Sequence, residues 1–468
     1  MKIKNPRTGQ YYYEIFPPSA KELKAKTELM RETQITWAGL AIEFRIQALQ
    51  TWKEVVEAYR DELIDALCMD TGRKLETILE VDFIASSIDR WSNISRDFFS
   101  KTDRKTSSIP FLEIEQEHQP HSLVGVISPW NFPLFLSLID TIPALLAGCA
   151  VIVKPSEIAP RFIEVLQKTI NQVPDLLGVL NYVEGGEETG KELCKLTDVI
   201  CFTGSTATGQ KVYQSACDNF IPVFLELSGK DAVIVTETAD IERATSAILW
   251  GSVINAGQSC SSIERIYVHR NIFHQFLSRL VAKANQLKLA FPMMDSGQIG
   301  PIISEKRVVI INDQLEDAFK KGAILNAGSR KCEELGGGYY CRPTILTNVT
   351  HDMKIMTEET FGPILPVMAY THVNEAIKFA NGSQYGLSGA VFAGKEEEAL
   401  SIARQMKCGA VSINDAALTV IMHEGEINAF KMSGIGGSRM GASAIEKFLK
   451  KKAYIINNQG VKDPWWFS

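Results

Sequence analysis

The stretch LVGVISPWNFPLFLSLIDTIPALLAGCAVIVK, residues 123–154, decides how we interpret the whole chain. It begins and ends with short runs of β-branched residues, and a proline-bounded turn and an apolar helical segment lie between them. Residues 122–153 contain a single charge, at Asp140, but Pro129, Pro133 and Pro143 divide them into pieces shorter than a membrane span of about 20 residues. The pattern therefore predicts a buried strand, a helix and a second buried strand.

The same alternation continues along the chain. Runs such as VICFTG and VFLEL precede Gly229, and runs such as DAVIV and RIYVHR follow it, with helical segments between them. Alternation of this kind predicts a parallel sheet covered by helices on both faces. We therefore predict an α/β protein with two α/β domains joined near residues 228–230. The segment before residue 100 is rich in helix formers, with apolar residues three and four apart, and predicts an N-terminal helical region packed on the body.

Composition and charge argue against several classes of protein. The chain has 468 residues and a net charge of −6, which gives no electrostatic reason to expect nucleic acid as a partner. Its nine cysteines are odd in number and include no CxxC, so we expect reduced thiols with neither a disulfide framework nor a zinc site. The first residues lack the features of a signal or transit peptide, and we expect a cytoplasmic protein without membrane partners.

Cys260 is the first candidate for chemistry. In NAGQSCSSIERIYV, residues 255–268, it follows small and polar residues and precedes an expected strand. The thiolate is the reactive form of cysteine, and small residues let backbone amides approach an oxyanion formed on the group that the sulfur attacks. The alternative is a buried structural cysteine, which is the more common fate of a cysteine taken at random.

Two further candidates lie at the ends of expected strands. Glu226 ends an apolar run, where poor solvation raises a carboxyl pKa towards neutrality and suits a general base; the alternative is an ion pair with Lys230. Asn131, between prolines in PWNFP, offers a fixed amide donor at the end of a parallel strand, where α/β proteins bind ligands. The alternative for Asn131 is an ordinary turn, because turns commonly contain proline and asparagine.

A nucleotide site is indicated at two other strand ends. Lys154 and Glu157 in VIVKPSE can hold the hydroxyls of a ribose, and Gly204 and Gly209 in FTGSTATG bound a helix start that can receive a pyrophosphate. No GxGxxG motif lies at such a junction, so the ordinary dinucleotide fingerprint is absent. From the residues alone, we predict a nucleotide-binding α/β enzyme with a cysteine nucleophile.

Seven motifs in one order resemble those of the aldehyde dehydrogenase superfamily: PWNFP, KPSE, FTGS, ELSGK, GQSC, EETFGP and KMSGIG. The resemblance covers essentially the whole chain. It implies a Rossmann-like NAD(P)-binding domain with N-terminal helices in residues 1–103 and 123–228, and a second α/β catalytic domain in residues 229–430. It also implies a small β oligomerisation element in residues 104–122 and 449–468, which bridges the subunits of a homodimer or homotetramer.

For the reaction, the resemblance implies oxidation of an aldehyde to the carboxylic acid with NAD(P)+. Cys260 is implied as the nucleophile that carries a thiohemiacetal and then a thioester, Asn131 and the Cys260 backbone N–H as oxyanion donors, and Glu226 as the base that activates water. The implied cofactor residues are Lys154 and Glu157 at the adenosine ribose, Gly204 and Ser205 near the pyrophosphate, Glu359 and Phe361 at the nicotinamide ribose, and Trp130 on the adenine side or beside the asparagine. A carboxylate at Glu157 repels a 2′-phosphate, so we expect NAD, with NADP as the alternative.

The substrate pocket is predicted from two segments, whose apolar side chains alternatively belong to the core: Phe135, Leu136 and Ile139 after PWNFP, and Leu418, Val420 and Ile421 in a late loop. No arginine or lysine lies between residues 414 and 430, so we expect an uncharged apolar aldehyde, aliphatic or aromatic, rather than a semialdehyde. The segment EINAF, residues 426–430, departs from the family pattern near the substrate mouth, so family substrates do not transfer.

Two other functions on this scaffold remain as alternatives. An enzyme that passes the acyl group to coenzyme A does not require the water-activating Glu226, and a non-catalytic protein does not require Cys260 together with Asn131. Retention of these three residues argues against both. No spacing of histidine, cysteine or carboxylate residues implies a metal.

Overall fold

The computed structural model describes residues 1–100, 104–109 and 111–457. The N-terminal region forms a two-stranded antiparallel sheet and four helices: β1 (Lys2–Lys4), β2 (Tyr11–Glu14), α1 (Ala20–Gly39), α2 (Ile42–Ala58), α3 (Arg60–Thr71) and α4 (Leu75–Phe99). Ser19 caps the start of α1 and forms a capping box with Glu22. Gly72 caps the end of α3 at φ 69°, in the left-handed region that favours glycine. This region is helical, as predicted, and it packs on the first core through residues such as Trp37 and Trp52.

The first large sheet contains the two strands of residues 123–154. After β3 (Arg104–Thr106) and β4 (Leu112–Pro120), its elements are β5 (Leu123–Ser128), α5 (Pro133–Leu138), α6 (Thr141–Ala147), β6 (Ala150–Pro155), α7 (Phe162–Ile170), β7 (Leu180–Tyr182), α8 (Glu187–Leu196), β8 (Val199–Thr203), α9 (Thr206–Asp218) and β9 (Val223–Glu226). Across the sheet the order is β9-β8-β5-β6-β7, all parallel. Every residue of β5 and β6 is buried, as expected of parallel strands covered on both faces.

The second large sheet follows a link at residues 227–230. Its elements, which include a small hairpin of β13 and β14, are β10 (Asp231–Val235), α10 (Ile241–Val253), β11 (Ile263–His269), α11 (Phe273–Ala284), α12 (Glu305–Lys320), β12 (Ile324–Ala327), β13 (Glu333–Leu335), β14 (Gly338–Tyr340), β15 (Thr344–Thr347), α13 (Lys354–Thr357), β16 (Ile364–Tyr370), α14 (Val373–Asn381), β17 (Tyr385–Gly386), β18 (Ser388–Phe392), α15 (Glu396–Ala403) and β19 (Ala410–Ile413). The order is β12-β15-β16-β11-β10-β18-β19, with only β12 antiparallel to its neighbour. A second hydrophobic core surrounds this sheet.

The chain then returns to the first sheet. After β20 (Phe430–Lys431), strand β21 (Gly434–Ile435) pairs antiparallel with β9 and sets Gly434 opposite Glu226. A 3₁₀ segment at residues 442–448 places Ala444, Ile445 and Phe448 in the first core. The predicted domain ranges leave this segment out, because its short strand and turns have no periodic pattern.

A three-stranded antiparallel sheet completes the described chain. β22 (Leu449–Asn457) pairs with β4 along its full length, and β3 pairs with the other edge of β4. These strands fall in the predicted oligomerisation element, of which residues 110 and 458–468 lie outside the described residues. Across residues 1–100, 104–109 and 111–457, no helix combines the length and the apolar character needed to cross a membrane.

Candidate active site

The strand ends of the first sheet carry most of the predicted polar site residues. Asn131 follows β5, Lys154 lies near the end of β6, Gly204 follows β8 and Glu226 ends β9. Because these strands are parallel, their carboxyl ends lie along one edge of the sheet, the usual ligand-binding edge of such folds. Cys260 lies in the loop between α10 and β11, so a site that includes all five residues lies where the two sheets meet.

The backbone before Cys260 is strained. Residues 255–257 have φ values of 53°, 53° and 73°, a left-handed run in which each non-glycine residue costs about 1–3 kcal/mol. A Cβ on Gly257 would lie 2.3 Å from the carbonyl carbon of Gly362, and a Cβ on Gly229 would lie 2.3 Å from the carbonyl oxygen of Cys260. The small residues around Cys260 are therefore required by close backbone approaches.

The buried side chain of Asn131 joins the first sheet to the loop of Cys260. Its Nδ2 donates to the carbonyl of Gln258 at 3.0 Å, and its backbone carbonyl accepts from Nδ2 of Asn255 at 2.8 Å. Asn255 Nδ2 also donates to the Gln258 carbonyl at 3.0 Å. An amide nitrogen carries two N–H groups, so the Asn131 side chain has a second donor beside the one that bonds Gln258. Gln258 is two residues before Cys260.

Glu226 is half-buried, and burial raises the pKa of its carboxyl to about 7. The positive charges of Arg439 and Lys447 oppose this rise. Both cations donate to the buried Asp140, Lys447 at 2.6 Å and Arg439 by a shorter contact. Arg439 also donates to Oγ1 of Thr203 at 2.5 Å, and Thr203 is the β8 residue that pairs with Glu226 in register. A buried charge cluster thus lies beside the candidate base.

Lys230, the alternative partner of Glu226, is bonded elsewhere. Its Nζ donates to Glu264 at 2.7 Å and to Thr360 at 2.9 Å, in a buried ion pair. Glu264 also accepts the backbone N–H groups of Thr360 and Phe361, at 2.8 and 2.7 Å. This pair fixes the segment EETFGP instead of neutralising Glu226.

The thiol of Cys260 is half-buried and surrounded by acidic groups. Burial, together with the nearby charges of Glu226, Asp231 and Glu359, raises its pKa to about 12. These acidic neighbours favour the thiol over the thiolate, although the thiolate is the reactive form of cysteine. Because such a thiol keeps its proton at neutral pH, a nucleophile at this position needs a base, and a carboxylate whose pKa is about 7 is suited to that task.

The groups at the ends of β6 and β8 fit parts of a dinucleotide. The buried Lys154 donates to the carbonyl of Gly185 at 2.8 Å and lies 3.6 Å from Glu157, whose side chain is 39% exposed and can accept from ribose hydroxyls. Ser205, directly after Gly204, is the N-cap of the 13-residue helix α9. The N–H groups of Thr206 and Thr208 donate to the hydroxyls of Ser228 and Ser205 over long distances of 3.4 and 3.3 Å, and the N–H groups at the start of such a helix can receive a pyrophosphate.

Trp130, Glu359 and Phe361 lie close to the same junction. The rings of Trp130 and Phe361 meet edge to face, with centroids 5.6 Å apart, so Trp130 contacts the EETFGP segment beside Asn131. Glu359 accepts the N–H of Gly229 at 3.3 Å, and burial raises its carboxyl pKa. Within the described ranges, no group of three or more His, Cys, Asp or Glu residues could hold a metal ion.

The predicted substrate residues have different environments. Phe135 contacts Phe83 of α4, with ring centroids 4.3 Å apart, and His423 of the late loop, at 5.8 Å. The remaining five range from core to surface: Leu136 and Ile139 are buried, Leu418 and Val420 are half-buried, and Ile421 is 63% exposed. Phe135 alone of the set belongs to this aromatic group.

Sequence reasoning missed Arg90 and Arg439. The guanidinium of Arg90 lies 5.3 Å from the ring centroid of Phe83, beside Phe135, although α4 precedes PWNFP by a long stretch of chain. No local pattern connects these segments. Asp140, however, is the single charge in an apolar stretch, and a buried charge requires a partner; that signal could have predicted a cation such as Arg439.

Comparison with known proteins identifies one family. Residues 1–454 match the model of the aldehyde dehydrogenase family. The chain is 32% identical over 450 residues to aminoaldehyde dehydrogenase 1, peroxisomal, from Pisum sativum, and the match covers 95% of this chain and 88% of the relative.

Solved structures agree with this match. A protein assigned as the aldehyde dehydrogenase PutA from Anabaena variabilis is 55% identical, with a TM-score of 0.98 and 100% of both chains covered. Betaine aldehyde dehydrogenase from Staphylococcus aureus, solved with NAD+ and a BME-modified cysteine, is 28% identical, with a TM-score of 0.92 over 99% of this chain and 95% of that one. The family predicted from the seven motifs and the predicted α/β fold are confirmed: the chain belongs to the aldehyde dehydrogenase family.

Proposed function

We propose that the protein oxidises an aldehyde to the carboxylic acid with NAD(P)+, with Cys260 as nucleophile and Glu226 as base. The observation that carries the proposal is the hydrogen bond of 3.0 Å from the Asn131 amide to the Gln258 carbonyl, which holds an oxyanion donor against the loop of the thiol. Family membership supports the reaction. The BME-modified cysteine of the Staphylococcus aureus relative supports a reactive thiol.

The first half of the reaction begins with proton transfer from the thiol of Cys260 to the carboxylate of Glu226. The thiolate attacks the carbonyl carbon of the aldehyde, a C–S bond forms, and the carbonyl oxygen becomes an oxyanion. The side-chain amide of Asn131 and the backbone N–H of Cys260 donate to this oxygen. Each such donor lowers the barrier by about 2.7–4 kcal/mol in comparable sites.

The second half releases the product. The chemistry that bound NAD(P)+ supplies is acceptance of the hydride, which leaves a thioester on Cys260. Glu226, once it has released the first proton to solvent, takes a proton from water, and the resulting hydroxide attacks the thioester carbonyl. The C–S bond breaks, the thiolate leaves, and the carboxylic acid is released. A carboxyl with a pKa of about 7 can perform both transfers because its two forms coexist near neutral pH.

We propose NAD as the preferred cofactor. The half-exposed carboxylate of Glu157, close to Lys154, is suited to accept from a ribose 2′-hydroxyl and repels a 2′-phosphate at that position. The start of α9 at Ser205 is suited to the pyrophosphate. The NAD+ bound to the Staphylococcus aureus relative supports this preference.

Cys260→Ala tests the central assignment. We expect no NADH formation with any aldehyde, because no other group replaces the nucleophile, while NAD binding measured by calorimetry stays at the wild-type value. Cys217→Ala, at an exposed cysteine on α9, is the matched control and should turn over normally. Wild-type turnover by Cys260→Ala refutes the proposal.

We further propose that the aldehyde is uncharged and apolar, aliphatic or aromatic. The contact of Phe135 with Phe83, in the segment that follows Asn131, supports an apolar surrounding for the aldehyde. The test compares kcat/KM for hexanal and benzaldehyde with kcat/KM for succinic semialdehyde. A clear preference for the charged aldehyde contradicts this part of the proposal.

A semialdehyde is the second candidate, and Arg90 is the observation that favours it. Its Nε is buried with no hydrogen-bond partner among the described residues, and a substrate carboxylate can use such a donor. Against this, burial lowers the pKa of Arg90, and the negative charge of Glu424 opposes that shift and already balances part of the guanidinium charge. If the second candidate is right, Arg90→Met lowers kcat/KM for succinic semialdehyde and leaves kcat/KM for hexanal unchanged.

We propose a homodimer or homotetramer. β22 is the edge strand of its sheet, and its Ile455 is 72% exposed, which suits pairing with another copy of the chain. Light scattering coupled to size-exclusion chromatography measures the assembly, and a monomer at micromolar concentration contradicts it.

We also propose a cytoplasmic location, supported by nine unpaired cysteines and tested by imaging the tagged full chain.

A further inference from the structure

Two buried carboxylates of α4 contact the two loops that carry the candidate oxyanion donors. Glu76 accepts the backbone N–H of Asn255 at 3.0 Å. Glu80 accepts the N–H groups of Leu134 and Phe135, each at 3.1 Å. The two glutamates are 9% and 3% exposed, and they lie one helical turn apart on the same face of α4. One helix therefore holds both loops.

Glu80 fixes the segment that follows Asn131. The first N–H groups of a helix have no partner inside it, and the carboxylate satisfies two of them at the start of α5. The other oxygen of Glu80 accepts from Arg73 at 2.6 Å, and the guanidinium of Arg73 lies 4.7 Å from the ring centroid of Phe132. The residue directly after Asn131 is thus packed against the same ion pair.

Glu76 fixes the strained loop before Cys260. It bonds the first of the left-handed residues 255–257, and such a conformation persists only where the surroundings determine it. The side chain of this residue, Asn255, donates to the carbonyls of both Asn131 and Gln258. Glu76 therefore bonds Asn255 directly, and Asn255 in turn links the Cys260 loop to the loop of Asn131.

We propose that Glu76 and Glu80 are positioning residues for the reaction and that α4 sets the distance between the Asn131 amide and the Cys260 sulfur. This inference rests on the proposed roles of Asn131 and Cys260. Neither glutamate contacts the reacting atoms. Their effect is geometric, and misplacing a catalytic group by about 1 Å can cost about 100-fold in rate.

The experiment compares Glu76→Leu with Glu76→Gln. Leucine removes the acceptor of the Asn255 N–H, whereas glutamine keeps an acceptor oxygen in the same place. We expect kcat/KM for the aldehyde to fall at least about tenfold in Glu76→Leu and to recover in Glu76→Gln, with the NAD dissociation constant within about twofold of wild type in both. Asp82→Asn is the control: it lies on α4, but pairs with Arg60 on the surface, 2.7 Å away, and should not change kcat/KM.

Two results overturn the inference: wild-type kcat/KM in Glu76→Leu, or an equal loss in both variants together with weaker NAD binding, which indicates general disruption. If Glu76→Leu does not fold, Glu76→Asp, one methylene shorter, replaces it, and equal activity of the Asp and Gln variants overturns the inference. The variant Cys260→Ala distinguishes a failure of the proposed function from a failure of the positioning role. Turnover without the thiol overturns the proposed function, whereas an inactive Cys260→Ala with a normal Glu76→Leu overturns only the positioning role.

Discussion

Glutamine at position 226 should make the protein less active but more stable, with a stability gain that depends on pH. Burial raises the pKa of the Glu226 carboxyl from its ordinary 4.5 to about 7. The folded protein therefore binds this proton more tightly than the unfolded chain, and stability falls as pH rises from about 4.5 to about 7. The full pKa shift corresponds to about 3 kcal/mol of unfolding free energy. Because the side chain is partly exposed, we expect a smaller effect on stability, of about 1–2 kcal/mol.

Because glutamine does not ionise, Glu226→Gln should be more stable than wild type by about 1–2 kcal/mol at pH 8 and by much less at pH 5. Urea unfolding at the two pH values measures this difference. A stability difference that is the same at both pH values refutes the buried, weakly acidic state of the carboxyl.

The same variant should turn over at least about 100-fold more slowly, because water loses its base. Because Glu226 is also the proposed acceptor of the thiol proton, intact-mass spectrometry should show Cys260 mostly without an acyl group after mixing with aldehyde and NAD at pH 7. Normal turnover refutes the assignment of Glu226 as the base.

Three further substitutions probe the surroundings of the site. Arg439→Met removes a positive charge that lowers the pKa of Glu226, so the midpoint of the pH–rate profile should move to higher pH; an unchanged midpoint contradicts this electrostatic role. Gly229→Ala places a Cβ 2.3 Å from the carbonyl oxygen of Cys260, so steady-state turnover should fall at least about tenfold while circular dichroism shows a folded protein; wild-type kinetics contradict the close approach. Glu157→Ser removes the charge expected to repel a 2′-phosphate, so the ratio of kcat/KM for NADP to that for NAD should rise about tenfold; a constant ratio argues against Glu157 as the selecting group.

The strands were predictable because burial on both faces leaves a strong local signal. The runs LVGVI and AVIVK correspond to β5 and β6 nearly residue for residue, since a strand covered on both sides must be apolar along its whole length. The raised pKa of Glu226 was predictable for a similar reason. An acidic residue that ends an apolar run is poorly solvated whatever surrounds it.

Partners between distant segments were not predictable. Lys230 is four residues from Glu226 but bonds Glu264, because the partner of a buried charge depends on how β10 packs against β11. The three acidic neighbours that raise the pKa of Cys260, Glu226, Asp231 and Glu359, lie far from GQSC in the sequence and leave no local pattern around it. The same holds for Glu76, which reaches Asn255 across a sequence separation of 179 residues.

The pairing of β21 with β9 has a consequence for biosynthesis. A ribosome makes Glu226 and Cys260 well before residues 434–448, which supply the neighbouring strand and the cations Arg439 and Lys447. A nascent or prematurely terminated polypeptide therefore contains the proposed nucleophile before the two cations that lower the pKa of the proposed base. The proposed pair of nucleophile and base is therefore complete only when translation is almost finished.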